Sequence, residues 1–121
     1  YNLGRMYVNG TGVEQNYRLA SSCFYDAARQ GHAGAQYRLG RLHFEGKGVE
    51  QKGGMAVFWW QKAAQQGHAE AQTSLGCIYA EGSDVEQDIE QGVFWLRTAA
   101  EQGEINAQNL LTSFNIKWKN E

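Results

Sequence analysis

A gapless repeat of 36 residues constrains this chain more than any other feature. The segment Ala35-Gln36-Tyr37-Arg38-Leu39-Gly40 returns as Ala71-Gln72-Thr73-Ser74-Leu75-Gly76, and again, degenerate, as Ala107-Gln108-Asn109-Leu110-Leu111-Thr112. Other landmarks keep the same step: Gly10, Gly46 and Gly82; Val13, Val49 and Val85; the Glu-Gln pairs beginning at Glu14, Glu50 and Glu86; the Ala-Ala pairs beginning at Ala27, Ala63 and Ala99; and Gly31, Gly67 and Gly103. A fixed period of this length is the signature of a stacked array, in which each unit buries its apolar face against the next.

Each unit reads as two helices. Ala35, Leu39, Leu42 and His43 recur at the spacing of one helical face, and Gly46 and Gly48 follow as stop signals. Ala56, Trp59, Trp60 and Ala63 then form a second stripe, closed by Gly67. The third unit repeats the plan with Leu75, Ile78 and Tyr79, then Val93, Trp95, Leu96 and Ala99. Asn16 and Asp88 precede their second helices as good N-caps, whereas Lys52 holds the equivalent place and has no acceptor to offer. Val13, Val49 and Val85 are expected to point inward from the loop. Gly4, Gly40 and Gly76 sit inside first helices, where glycine costs about 1 kcal/mol relative to alanine. Their recurrence predicts a close approach of two helix backbones. Ile105 to about Lys119 reads as a single capping helix, with Leu111, Phe114 and Trp118 covering the end of the stack and Lys117, Lys119 and Glu121 in water. The expected layout is one solenoid domain over 1–121, with units at about 1–34, 35–70 and 71–106 and the cap over 107–121. Tyr1 matches Tyr37, so the counterparts of Ala35 and Gln36 are missing before it, and the chain reads as a fragment of a longer protein.

Composition narrows the function classes. A net charge of −2 over 121 residues argues against a nucleic-acid binder, which carries a basic face. No apolar run approaches the roughly 18 residues that span a bilayer. Proline is absent, which leaves the 15 glycines as the only strong punctuation. Compartment and oligomeric state stay open.

The unit resembles the Sel-one-like repeat (SLR), a relative of the tetratricopeptide repeat. The resemblance rests on Ala35, Leu39, Gly40, Gly46, Gly48 and Val49 followed by Ala56, Trp59, Trp60, Lys62, Ala63, Ala64 and Gly67. The third unit carries it through Ala71, Leu75, Gly76, Tyr79, Gly82, Val85, Asp88, Trp95, Ala99, Ala100 and Gly103. Departures are His43 for the family tyrosine, Asp84 for the second loop glycine, and Cys23-Phe24 where an aromatic pair is expected. The resemblance implies an all-α fold: a right-handed α-α superhelix of helix-turn-helix repeats, lined on its concave side by the first helix of each unit. It also implies an adaptor or scaffold without a reaction of its own. A toxin-neutralising protein of the immunity type and a module that positions neighbouring domains are the alternatives within binding proteins. A cell-wall hydrolase is the catalytic alternative.

Candidate sites follow from the faces left over. Tyr37, Arg41 and Phe44 lie opposite the first-helix core, and Tyr1, Arg5 and Val8 match them in the first unit; Thr73, Cys77 and Ala80 do so in the third. Tyr1, Arg5, Tyr37, Arg41 and Phe44 are therefore the expected partner-binding residues, because tyrosine and arginine supply aromatic area and forked charge at binding hot spots. The expected occupant is a protein or peptide bearing an acidic group. The competing reading is a solvated helix face with incidental aromatics. Val57, Phe58, Val93 and Phe94 border the second-helix stripe and form a possible convex patch, against which stands a plain widening of helix packing. Trp59 and Trp95 read as core. His32 and His68 recur at helix starts and do not offer the close ligand pairs of a zinc site. Cys23 and Cys77 fall on different units and read as free thiols. Gly10-Thr11-Gly12 and Gly46-Lys47-Gly48 are repeated turns and not phosphate loops, which need a lysine and hydroxyl after a strand. The reading therefore includes no catalytic residue, metal or cofactor.

Overall fold

The computed structural model describes residues 1–82 and 85–117. Asp84, Trp118, Lys119 and Glu121, named above, lie outside them. Among the described residues all regular structure is helical: α1 (Asn2–Asn9), α2 (Tyr17–Arg29), α3 (Ala33–Glu45), α4 (Gly53–Gln65), α5 (Ala69–Glu81), α6 (Ile89–Glu101) and α7 (Ile105–Ser113). Each helix packs chiefly on its neighbours in sequence, α1 on α2, α2 on α3 and so on to α7. This one-dimensional order makes the chain an all-α solenoid.

The turns repeat as faithfully as the residues. After each second helix a glycine takes a left-handed φ, 92° at Gly31, 91° at Gly67 and 93° at Gly103. The next backbone N–H, of His32, His68 or Glu104, then donates back to the first alanine of the Ala-Ala pair, at 3.2, 3.1 and 3.1 Å. That crossed closure satisfies carbonyls that a helix end otherwise leaves bare. The Glu-Gln pairs serve the other turn. Gln15, Gln51 and Gln87 donate through Nε2 to the carbonyls of Val8, Phe44 and Ala80, at 2.7, 2.9 and 2.8 Å. Asn16 and Asp88 cap their helices as expected, accepting from Leu19 and Gln91 at 3.0 and 3.1 Å, and Lys52 makes no side-chain cap. His32 and His68 cap first helices through Nδ1, which accepts from the N–H of Ala35 and Ala71; Glu104 does so with a carboxylate for Ala107.

The core lies between each second helix and the first helix that follows. One cluster joins Ala20, Phe24 and Ala28 to Ala35, Leu39 and Leu42, with Trp59 behind them. The next joins Ala56, Trp60, Ala63 and Ala64 to Ala71, Leu75 and Ile78. The last joins Leu96, Ala99 and Ala100 to Ala107 and Leu111. Leu39, Leu75 and Leu111 share one column, are fully buried, and each contributes about 1.5–3 kcal/mol of burial. Val49 and Val85 pack against their clusters as expected.

Across this interface runs a polar ladder. Gln36 and Gln72 are buried, and Nε2 of each donates to a second-helix carbonyl, Ala28 or Ala64, at 3.1 and 3.0 Å. Their Oε1 atoms accept from Gln66 and Gln102, just past the second helix of the same unit, at 2.9 and 2.6 Å. Gln108 continues the ladder to Ala100.

Three expectations change. A Cβ at Gly4 would meet the Phe24 ring at 2.7 Å, and one at Gly40 the Trp60 ring at 2.5 Å, so in these units the glycine accommodates a large side chain rather than a backbone. Only Gly76 faces backbone, with the Gly92 carbonyl at 2.9 Å beside Leu96 at 2.7 Å. Trp95 packs against its core cluster but stays only half-buried, whereas Trp59 is 6% exposed. Tyr25 stands edge-on over Trp59 at 6.1 Å, and its counterpart one unit on is Gln61, which has no ring to cover Trp95. Finally, α7 stops at Ser113. Asn115 turns left-handed at φ 58°, a conformation asparagine tolerates, and Ile116 folds back to donate to Leu111 at 2.8 Å. Ile116 thereby packs on the end of the stack, and Phe114 is left 59% exposed.

Candidate functional site

The first helices carry the candidate residues along one face. Tyr1 lies on His32, centroids 4.4 Å apart, and on Phe24 at 5.9 Å. Its hydroxyl accepts from Arg38 Nε at 3.0 Å, and the guanidinium groups of Arg5 and Arg38 each sit 5.9 Å from its ring. One unit on, Tyr37 lies on His68 at 5.0 Å, under Arg41 at 6.0 Å. Aromatic stacking and cation–π contact thus hold both tyrosines half-buried against the cap of the following unit's first helix. The third unit has Thr73 and no ring. Phe44, 36% exposed, rests on Trp60 at 5.6 Å. Trp60 is fixed in turn, since its indole N–H donates to the Tyr37 carbonyl at 3.0 Å.

Charge on this face is clustered. Glu45 accepts from Arg41 at 3.2 Å and pairs with Lys47 at 3.1 Å. Burial works against both Arg41 and Glu45 as ions, but their mutual attraction, with Tyr37 beside Arg41 and Lys47 beside Glu45, prevails. Arg41 is pushed above its ordinary value and Glu45 below its own. Cys77 sits half-buried next to this group, its thiol pushed up by burial and then by Glu81 and Glu104. It is a free thiol, as is Cys23.

Among the described residues, grooves run between successive first helices. A cleft of about 240 Å³ between α1 and α3 is lined by Val8, Tyr17, Arg38, Arg41, Glu45 and Lys47 among others. A groove of about 440 Å³ between α3 and α5 has Phe44, Trp60, Cys77 and Ile78 as its apolar lining and Arg41, Glu45 and Glu81 about it. A third, of about 490 Å³ between α5 and α7, includes Tyr37, Glu70, Thr73, Ser74, Glu104 and Asn106. Of the expected residues, Tyr37, Arg41 and Phe44 line these grooves, whereas Tyr1 and Arg5 line none of the three. Sequence reasoning missed Arg38, which ties Tyr1 to the second unit, and Trp60, which floors the groove. Arg38 was detectable as the residue three before Arg41 on the same helix. Trp60 was hidden because its recurrence as a core residue masked the edge it shows the groove.

The second-helix patch divides. Val57 and Val93 are half-buried, and Val57 packs into the core. Phe58 and Phe94 stay out, 48% and 59% exposed, each edge-on to its neighbouring tryptophan at 5.0 Å. Among the described residues no three His, Cys, Asp or Glu side chains converge as a metal site, and no helix is long and apolar enough to cross a membrane.

Comparison with protein families matches Sel1 repeats at residues 1–32, 33–68 and 69–104, the units that the helices mark out. The chain belongs to the Sel1 repeat family. Among solved structures it is similar to a Sel1 repeat protein from Oxalobacter formigenes, with 37% identity and a TM-score of 0.83, covering 88% of this chain and 44% of that one. It is also similar to a protective antigen of uropathogenic Escherichia coli with an SLR fold, with 31% identity and a TM-score of 0.88, covering 91% of this chain and 24% of that one. The chain thus spans less than half the length of either. Comparison with curated proteins gives no match. Sel1 repeat proteins are generally protein-interaction scaffolds, and the fold is typically non-enzymatic.

Proposed function

We propose that this Sel1 repeat chain is a non-enzymatic adaptor that binds a partner protein or peptide on the face of α1, α3 and α5, through Tyr1, Arg5, Tyr37, Arg41 and Phe44. The observation that carries the reading is the groove between α3 and α5. Its floor is aromatic, Phe44 on Trp60, and Arg41 stands at its edge with half of its side chain exposed. An arginine already stacked on Tyr37 and paired with Glu45 is pre-oriented, so it loses less rotamer freedom on binding a carboxylate than a free one. Aromatic and arginine side chains in a concave apolar site are what binding hot spots are made of.

The test is capture from lysate of the source organism by immobilised wild type and by an Arg41→Ala, Phe44→Ala variant whose melting temperature is checked. A partner held by the wild type and lost by the variant supports the reading. A partner kept by the variant but lost by Phe58→Ser, Phe94→Ser transfers the function to the second helices and overturns the groove assignment.

A further inference from the structure

We infer that the groove reads its partner in one polarity: carboxylates toward the α1–α3 cleft, an apolar side chain on Phe44 and Trp60, and cations toward the α5–α7 groove. This rests on the proposed use of the first-helix face and adds to it the chemistry and order of the bound segment.

The argument is charge complementarity. Residues 1–62 hold eight Lys and Arg against four Asp and Glu, whereas residues 63–121 hold three against nine. Between Lys62 and Arg97 there is no Lys or Arg. The grooves inherit this asymmetry. The α1–α3 cleft presents Arg38, Arg41 and Lys47 against Glu45 alone, so its net charge is positive and guanidinium donors remain after Glu45 is satisfied. The α5–α7 groove presents Glu70 and Glu104 and, among the described residues, is lined by no Lys or Arg. Between the two lies the apolar floor, with exposed Glu81 on the acidic side.

Neighbouring grooves share lining, Arg41 and Glu45 on one side and Thr73 and Ser74 on the other, so each lies across one helix from the next, roughly 10 Å. That is close to the screening length at physiological salt, about 8 Å, so each end of a bound segment responds mainly to its own groove. An extended chain covers the distance in about three residues. The occupant is therefore a peptide with an apolar residue flanked three residues away by acid on one side and base on the other. In the wrong order its carboxylates would face Glu70 and Glu81, a like-charge juxtaposition that interfaces select against.

The test uses the full chain and labelled nine-residue peptides read by fluorescence anisotropy. The first probe is Asp-Asp-Gly-Gly-Leu-Gly-Gly-Lys-Lys, measured together with its reversed sequence, since charge order does not fix chain direction. The second and third carry Asp at both ends or Lys at both ends. One member of the mixed pair is expected to bind at least about tenfold more tightly than either like-charged probe. A Glu70→Lys, Glu81→Lys variant, changing two exposed side chains, should transfer preference to the all-acid probe. Equal binding of all probes, or an unchanged order in the variant, overturns the inference. So does salt-sensitive self-association in sedimentation that excludes the mixed probe, because the charged ends would then pair with a second copy. If the lysate capture still depends on Arg41 and Phe44 while the probes show no order, the polarity falls and the proposed function stands.

Discussion

In the second unit the Trp60 indole lies across Gly40 and stacks with Phe44; in the third, Leu96 lies across Gly76, and Ala80 stands where Phe44 would be. The smaller pair lets the backbones close up. A Cβ at Gly92 would come within 3.0 Å of Ala80 and 2.9 Å of the Gly76 carbonyl, and the second-unit counterpart of Gly92 is Ala56. One helix joint is thus filled in two ways, by rings or by backbone. Only the ring-filled joint leaves an aromatic surface facing outward, and so the apolar floor belongs to the second unit. The repeat fixes which columns are buried, while the residues in those columns decide whether a unit presents a site or merely extends the stack.

The largest expected effect tests that contrast directly. Trp60→Ala removes the ring over Gly40, the indole bond to Tyr37 and the support of Phe44, and should cost about 3–5 kcal/mol in urea unfolding. The reciprocal Leu96→Trp asks a backbone-filled joint to take a ring, and should cost about 1–3 kcal/mol through overpacking. A neutral Leu96→Trp would break the comparison, since it would mean that the third joint has room the Gly92 contact denies. Trp60→Leu with Phe44→Ala converts the second joint toward the third; it should retain the fold and lose the mixed-charge peptide.

The buried glutamines should behave alike in both units. Gln36→Ala and Gln72→Ala each remove a buried amide that bridges a second-helix carbonyl to exposed Gln66 or Gln102; the carbonyls keep the N–H of Gly31 or Gly67, so each loss should cost about 0.5–1.5 kcal/mol. Unequal costs, measured by the same unfolding midpoint, would show that the ladder is not a property of the repeat.

That ladder also marks how far the sequence could be read. The 36-residue step, the two stripes per unit and the caps at Asn16 and Asp88 were legible because each is a local or periodic signal. Gln36 and Gln72 recurred as visibly as any glycine, but a glutamine is ordinarily a surface residue, and nothing local says that its amide will meet a carbonyl eight residues back and another amide 30 residues on. The candidate strip was legible as a helix face through Tyr37, Arg41 and Phe44. The part played by Trp60 was not, because a tryptophan that is 3% exposed and meets the groove only at an edge has the periodicity of a core residue. The stop at Ser113 was lost for a similar reason: Leu111, Phe114 and Trp118 fit a continuing helix, and the turn at Asn115 is a single-residue choice that periodicity cannot see.

Caps give a smaller contrast between the same two units. The Asp88 side chain accepts from Gln91 at the start of α6, and the Lys52 side chain makes no cap at the start of α4. Asp88→Ala should therefore cost about 1 kcal/mol, and Lys52→Asn should gain a few tenths to about 1 kcal/mol. The pair that Lys52 makes with Glu50 at 3.6 Å is exposed, so its loss hardly counts against that gain. A Lys52→Asn protein no more stable than wild type would mean that the α4 terminus is already satisfied by water.

The smallest effect separates units by the chemistry of their first-helix caps. His68 must be neutral at Nδ1 to accept from Ala71, whereas Glu104 caps α7 with a carboxylate. Burial pushes His68 below its ordinary value of 6.5; Glu70 opposes the shift, and Arg38 and His32 add to it. A base whose folded value is depressed binds its proton more readily when unfolded, so protonation favours unfolding. The stability held by the neutral imidazole is complete above about pH 6.5 and is lost as pH falls toward and through the lower folded value. The urea midpoint should thus decline between pH 7 and pH 5. His68→Asn retains a capping side chain but has no proton to gain in that window, so its decline should be shallower whatever its absolute stability. Parallel slopes for the two proteins would remove His68 as the source and leave the acid sensitivity to other groups.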